Sequence, residues 1–188
     1  MASFFSDLRN TLIAGAAIAA LLFVLYVTGQ GFGAVTFWPF LVRWLHVLCG
    51  AMWIGLLWSL SVVSMPATPA ALFWLRWAAM GTIVFGIILA QLNGYLLQAF
   101  TLDSIEGFAV PKTIGIGAGM WLGTIMWFNV WVVVWPNQQK ALNIGGIYPN
   151  LTAEEKAAAA ATAGFYTRVN LMLSIPMLFA MVAAQNLY

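Results

Sequence analysis

One stretch carries the residues with most chemistry to offer. In RWLHVLCGAMWIGLLW, Arg43, His46, Gly50 and Trp53 recur at steps of three and four residues, so a helix presents them on one face. His46 is the single histidine of the chain, and a neutral imidazole ligates a metal through one of its ring nitrogens. Gly50, one turn along, leaves room for a planar ring, and Arg43, about one turn the other way, is placed to pair with an acidic ring substituent. The pattern suits a tetrapyrrole, haem b or a chlorophyll-type ring, with His46 as axial ligand and Arg43, Gly50 and Trp53 beside it. The competing reading is a structural or proton-handling histidine, hydrogen-bonded to Asn129, Asn93 or Gln91 on another helix.

With one histidine, a bis-histidine site cannot form within the chain. A second ligand must be a methionine, with Met120, Met126, Met172 and Met177 in or near apolar runs, or water, or a group from another subunit. Methionine is otherwise ordinary apolar filler. Covalent c-type attachment is excluded because no CxxCH occurs. HExxH, GxSxG, a P-loop and a dinucleotide fingerprint are also absent, as is any His, Cys, Asp and Glu cluster with metal-ligand spacing. A self-contained metal enzyme is therefore not expected, and Cys49, alone in an apolar run, reads as a small buried hydrophobe. A second polar set, Asn129, Arg168, Asn170 and Ser174, falls in or near late apolar runs and is a candidate buried network, with snorkelling to the interface the simpler reading of Arg168.

The elements that must position these residues follow from composition. The chain is 63% hydrophobic and 6% charged, with a mean hydropathy of +0.94, where soluble domains carry about 25% charged residues. It reads as an all-α, polytopic membrane protein: a single transmembrane domain over residues 1–188 with five spans at about 11–29, 38–65, 71–100, 113–135 and 164–185, each near the length a bilayer requires. The net charge of +2 is thinly spread, so nucleic acid is not an expected partner. PATP at 66–69 punctuates the second and third spans, and WPNQQK marks the expected end of the fourth. Thr152 with Glu155 forms a capping box that starts the last helix, which should enter the membrane near Phe165 and bend near Pro176.

Gly115, Gly119 and Gly123 give the fourth span a bare face for close helix packing or a flat ligand. Arg9, Arg76, Lys140 and Lys156 against Arg43 and Lys112 favour a cytoplasmic amino terminus and an outer carboxy terminus. Trp38, Trp44, Trp74, Trp77 and Trp135 suit interfacial belts.

Three segments, RWLHVLCGAMWIGLLW, GTIMWFNVWVVVWPNQQKAL and FYTRVNLMLSIPMLFAMVAA, together resemble the membrane domain at the amino terminus of membrane-bound urate hydroxylases and its short stand-alone relatives. The likeness is collinear over about 150 residues. His46, Asn129, Trp135, Pro136, Asn137, Gln138, Arg168, Asn170, Ser174 and Pro176 match its motif positions. In fused members a c-type cytochrome follows the membrane domain, so the resemblance implies electron transfer on the outer side. Here the chain stops at QNLY, and SLSVVSMP replaces a more aromatic and amide-rich stretch. A shorter likeness, the histidine-then-WIG pattern, extends to membrane haem proteins of the protoporphyrinogen oxidase type and to copper-resistance membrane proteins.

The leading expectation is an accessory subunit of a redox or energy-converting complex, sited in a bilayer such as the bacterial inner membrane, with other membrane subunits as partners. One alternative is a urate-hydroxylase-like module working with a separate outer-side cytochrome c. Another is a small transporter or copper-handling protein.

Overall fold

The computed structural model describes residues 6–30 and 34–187. It is all-α. The helices are α1 (Leu8–Gln30), α2 (Ala34–Ser61), α3 (Pro69–Leu92), a short α4 (Leu96–Phe100), α5 (Pro111–Phe128), α6 (Trp135–Leu142) and α7 (Ala153–Asn186). A π-turn segment, Asn129–Val134, joins α5 to α6 without a break. Among the described residues, five helices, with α5 to α6 counted as one, are long and apolar enough to cross a membrane, as in an integral membrane protein.

The chain divides into two compact units, Met1–Phe40 and Leu41–Tyr188. In the first, α1 meets the opening turns of α2 through rings: Phe23 lies edge-on to Phe37 at 5.6 Å, and Tyr26 stacks on Phe40 at 6.1 Å. Leucine and isoleucine side chains along α1, Leu21, Leu22 and Leu25 among them, are exposed, which suits lipid.

In the second unit α5 and α7 are the most extensively paired helices. Lipid tails are as apolar as leucine, so such pairs hold by close packing and interhelical hydrogen bonds rather than by hydrophobic burial. Small residues allow it: a β-carbon on Gly119 would sit 3.1 Å from the Met181 methyl, and one on Gly115 would lie 3.8 Å from Ala184. The main core joins Trp53 and Leu57 of α2, Leu75 and Ala78 of α3, Met126 of α5 and Met177 of α7.

Three boundaries differ from the sequence reading. The second helix stops at Ser61, not near 65. The third span ends at Leu92, not near 100, because Asn93-Gly94 closes α3 with left-handed Gly94 (φ 76°). The Tyr95 N–H donates to Ala90 and the Gly94 N–H to Gln91, a Schellman termination in which a glycine avoids β-carbon strain. The fourth span does not stop at Trp135 but continues helically to Leu142. Pro136 lacks a donor and crowds the carbonyl four residues back, and the wider π turn just before it relieves that crowding. The last helix starts where the sequence places it: α7 spans 34 residues, a rise of about 51 Å, well over the roughly 30 Å of hydrocarbon. Its first turns lie beside α6 and start at the Thr152–Glu155 capping box, which is formed in both directions. The helix continues through Pro176.

Candidate functional site

His46 lies against the backbone of α3. A β-carbon at Gly86 would stand 3.0 Å from its Cε1 and 3.1 Å from its Nδ1, so the bare glycine is what admits the ring so closely. The His46 Nδ1 is 2.8 Å from the Thr82 carbonyl oxygen. A carbonyl only accepts, so Nδ1 carries the proton and donates, and the Nε2 lone pair is left uncommitted. A carbonyl on the far nitrogen is how ligating imidazoles are commonly oriented.

The partner of His46 is thus a backbone carbonyl, not Asn129, Asn93 or Gln91. Asn93 donates to Leu89 of its own helix at 2.7 Å, Gln91 is exposed, and Asn129 is engaged elsewhere.

Arg43, His46, Gly50 and Trp53 all line one cavity of about 690 Å³ between α2, α3, α5 and α7, partly roofed by Tyr95, which precedes α4, and by Phe100 of α4. Its walls are mainly apolar. The polar groups gather at the α4 end, where Arg43, Tyr95, Gln185 and Asn186 stand. Burial pushes the Tyr95 phenol above its usual range, with the positive charge of Arg43 opposing, which places Arg43 within electrostatic reach of it. Arg43 is exposed and has no carboxylate partner among the described residues. A β-carbon on Gly50 would be 3.8 Å from the Thr82 methyl, so Gly50 faces both α3 and the cavity.

Of the four methionines singled out as second ligands, Met120 and Met177 line the cavity. Met126 is sealed in the core and Met172 is exposed, 63% accessible, so neither stands with His46. Met181 also lines the cavity; sequence reasoning passed over it because a methionine in a long apolar helix looks like filler.

The second polar set divides. The Asn129 amide donates to the Asn170 carbonyl oxygen at 2.9 Å, and the Asn170 amide donates to the Met126 carbonyl at 3.0 Å. Ser174 accepts from the Trp58 indole at 2.9 Å and donates to Leu171. Arg168 is not part of this network: it is exposed, where its long side chain keeps its charge out of the packed interior. Arg76 was read from sequence only as a flanking charge. Its guanidinium sits 3.9 Å from the Trp135 ring centre, 4.9 Å from that of Trp131 and 5.4 Å from that of Trp77, a cation held by three indole faces. The spacing of Trp131 and Trp135, one turn apart, was the available signal.

Among the described residues, no three His, Cys, Asp or Glu side chains gather into a metal-ion site. Any metal at His46 is therefore held by one imidazole together with donors of another kind. A planar tetrapyrrole fits what is present: an uncommitted Nε2, a mainly apolar cavity within the 300–1,000 Å³ usual for small-molecule sites, thioethers on the facing walls, and a cation at the polar end for acidic ring substituents. Compared with protein-family models, curated proteins and solved structures, the chain matches none.

Proposed function

We propose that the protein is a membrane subunit of a redox or energy-converting assembly that holds one tetrapyrrole, haem b or a chlorophyll-type ring, through His46. The observation that carries this reading is the oriented imidazole: Nδ1 bonded to the Thr82 carbonyl, Nε2 free, in a cavity of about 690 Å³. Of the lining residues, Arg43 would offer its charge to acidic substituents of the ring, and Gly50 and Trp53 would give it an apolar wall. The ring, when bound, supplies one-electron chemistry. The protein supplies the ligand, the orientation and the apolar enclosure.

The reading also takes the amino terminus as cytoplasmic and the α4 end as the outer face, on the distribution of Lys and Arg. With that orientation the polar mouth opens toward an outer-side acceptor such as a cytochrome c. This is the arrangement that the resemblance to urate hydroxylase membrane domains implies, and a bacterial inner membrane is the setting it fits.

The test is an oxidised and reduced absorption spectrum of protein extracted gently with its native lipids and partners, with pigment and metal analysis. One pigment per chain, lost in His46→Ala while membrane insertion is retained, is expected. A colourless preparation, or a His46→Ala variant with an unchanged spectrum, overturns the assignment. Copper recovered in place of a pigment replaces it with a soft-metal site.

A further inference from the structure

Three contacts fix the relative depth of the helices around the cavity. The His46 ring lies level with Gly86 of α3, which its Nδ1 and Cε1 closely approach. The Ile83 side chain reaches Gly123 of α5, at 4.0 Å from the position of its β-carbon. Helices α3 and α5 run in opposite directions, so three residues from each contact toward the α4 end pair Gly86 with Met120. On the remaining wall, Met181 of α7 packs on Gly119, its sulfur 3.2 Å from where a β-carbon would stand. His46, Met120 and Met181 therefore occupy one level of the cavity that all three line. Met177 lies one turn, about 6 Å, deeper along α7.

We infer that the ligand opposite His46 is a methionine thioether, supplied by Met120 or Met181 and not by Met177. The inference rests on the tetrapyrrole reading and deepens it. An imidazole on the α2 and α3 side faces two thioethers on the α5 and α7 side, with no other nitrogen or sulfur donor at this level among the residues lining the cavity. Thioethers are soft and electrically neutral, and one paired with imidazole favours the reduced state of a haem and raises its potential.

The experiment uses the pigmented protein in its native lipids. Met120→Leu, Met181→Leu and Met177→Leu each keep the side-chain volume nearly unchanged, a class of swap that cores tolerate. Pigment content, reduction potential and carbon monoxide binding of the reduced form are then compared with the parent. One of Met120→Leu and Met181→Leu is expected to retain the pigment, lower the potential and open the iron to carbon monoxide, while Met177→Leu, which alters only an apolar contact of the core and cavity wall, keeps carbon monoxide excluded. If both variants keep the parent potential and exclude carbon monoxide while His46→Ala loses the pigment, the methionine assignment falls and the His46 assignment stands. If the parent holds no tetrapyrrole, both fall; if its ring carries magnesium instead of iron, the thioether assignment falls and the His46 assignment stands. A parent that binds carbon monoxide already has an open position, which also overturns the thioether ligand. Met177→Leu producing the change instead would refute the depth assignment.

Discussion

The two ends of the second unit solve the problem of packing in lipid differently. Toward α6, side chains fill the space between helices: Asn129 and Asn170 bond each other, Trp58 bonds Ser174, and three indoles enclose Arg76. Toward α4, the same helices part around a cavity of about 690 Å³, and the polar groups at its mouth, Arg43 and Gln185, are exposed. Where the hydrophobic effect does not draw helices together, interhelical hydrogen bonds and close contacts hold them. At the α6 end the buried asparagines and Ser174 tie α5, α7 and α2 together; at the α4 end α5 and α7 still meet closely at Gly115 and Gly119, and the opening lies between that pair and α2 and α3. The open end, with its single oriented imidazole, is available for a ligand.

The sharpest way to break that division is through the roof of the open end. Any side chain on Gly117 meets the Ala99 carbonyl of α4, and backbone cannot rotate aside. Gly117→Ala should cost about 1–3 kcal/mol, as forced overpacking does, and should also move Tyr95 and Phe100 and weaken ligand retention. Denaturation of the detergent-solubilised protein alongside pigment content measures both; a variant with parental stability and occupancy would mean that α4 does not roof a fixed cavity.

Next comes the closed end. Asn170 has no solvent exposure, and Asn170→Leu strips Asn129 of its acceptor and Met126 of its donor. A loss of about 1–2 kcal/mol is expected, since hydrogen bonds between membrane helices measure near or below that range. Ligand occupancy in the folded fraction should be unchanged. If occupancy falls as far as stability, the two ends are coupled and the division of labour is wrong.

Gly86→Ala sharpens the contrast from the other side. The new methyl would press on the imidazole at 3.0 Å, and the ring must yield by a few tenths of an ångström against its bond to Thr82. The expected result is a change in the spectrum and a partial loss of pigment, with stability altered by less than about 1 kcal/mol. A large loss of stability with an unaltered spectrum would make His46 a packing residue.

How far these features were legible in the sequence depends on what kind of group creates them. Apolar runs near twenty residues announce the spans by themselves, and the three- and four-residue steps put Arg43, His46, Gly50 and Trp53 on one helix face, the face that lines the cavity. What faces them left no such signal. The acceptor for His46 is a main-chain carbonyl, which every residue has, and the close approach depends on Gly86, one of 17 glycines. The end of α3 was hidden because Asn93-Gly94 is a two-residue interruption followed at once by further apolar residues. The continuation through Pro136 was hidden because a proline beside amides usually ends a helix, and a π turn has no compositional mark. Arg168 and Asn170 are two residues apart and so point to different sides of α7, which explains why one is exposed and the other enclosed.

The smallest effect tests whether the wall between α2 and α3 is itself rigid. A β-carbon at Gly81 would fall 2.7 Å from the Cys49 sulfur, on a stretch of wall where neither residue lines the cavity. The obstacle is the end of a short side chain, so Gly81→Ala should cost less than about 1 kcal/mol if the thiol can turn away, and more if the helices are locked by Gly50 against Thr82 and His46 against Gly86. The double variant Cys49→Ala with Gly81→Ala removes the obstacle and should regain most of the loss, giving a coupling that a double-mutant cycle reads directly. Full recovery with unchanged pigment means that the imidazole is held by its own two contacts and not by the fit of the whole wall. Absence of coupling would show that α2 and α3 slide freely past each other, and a sliding wall could not hold His46 at the depth of Met120 and Met181.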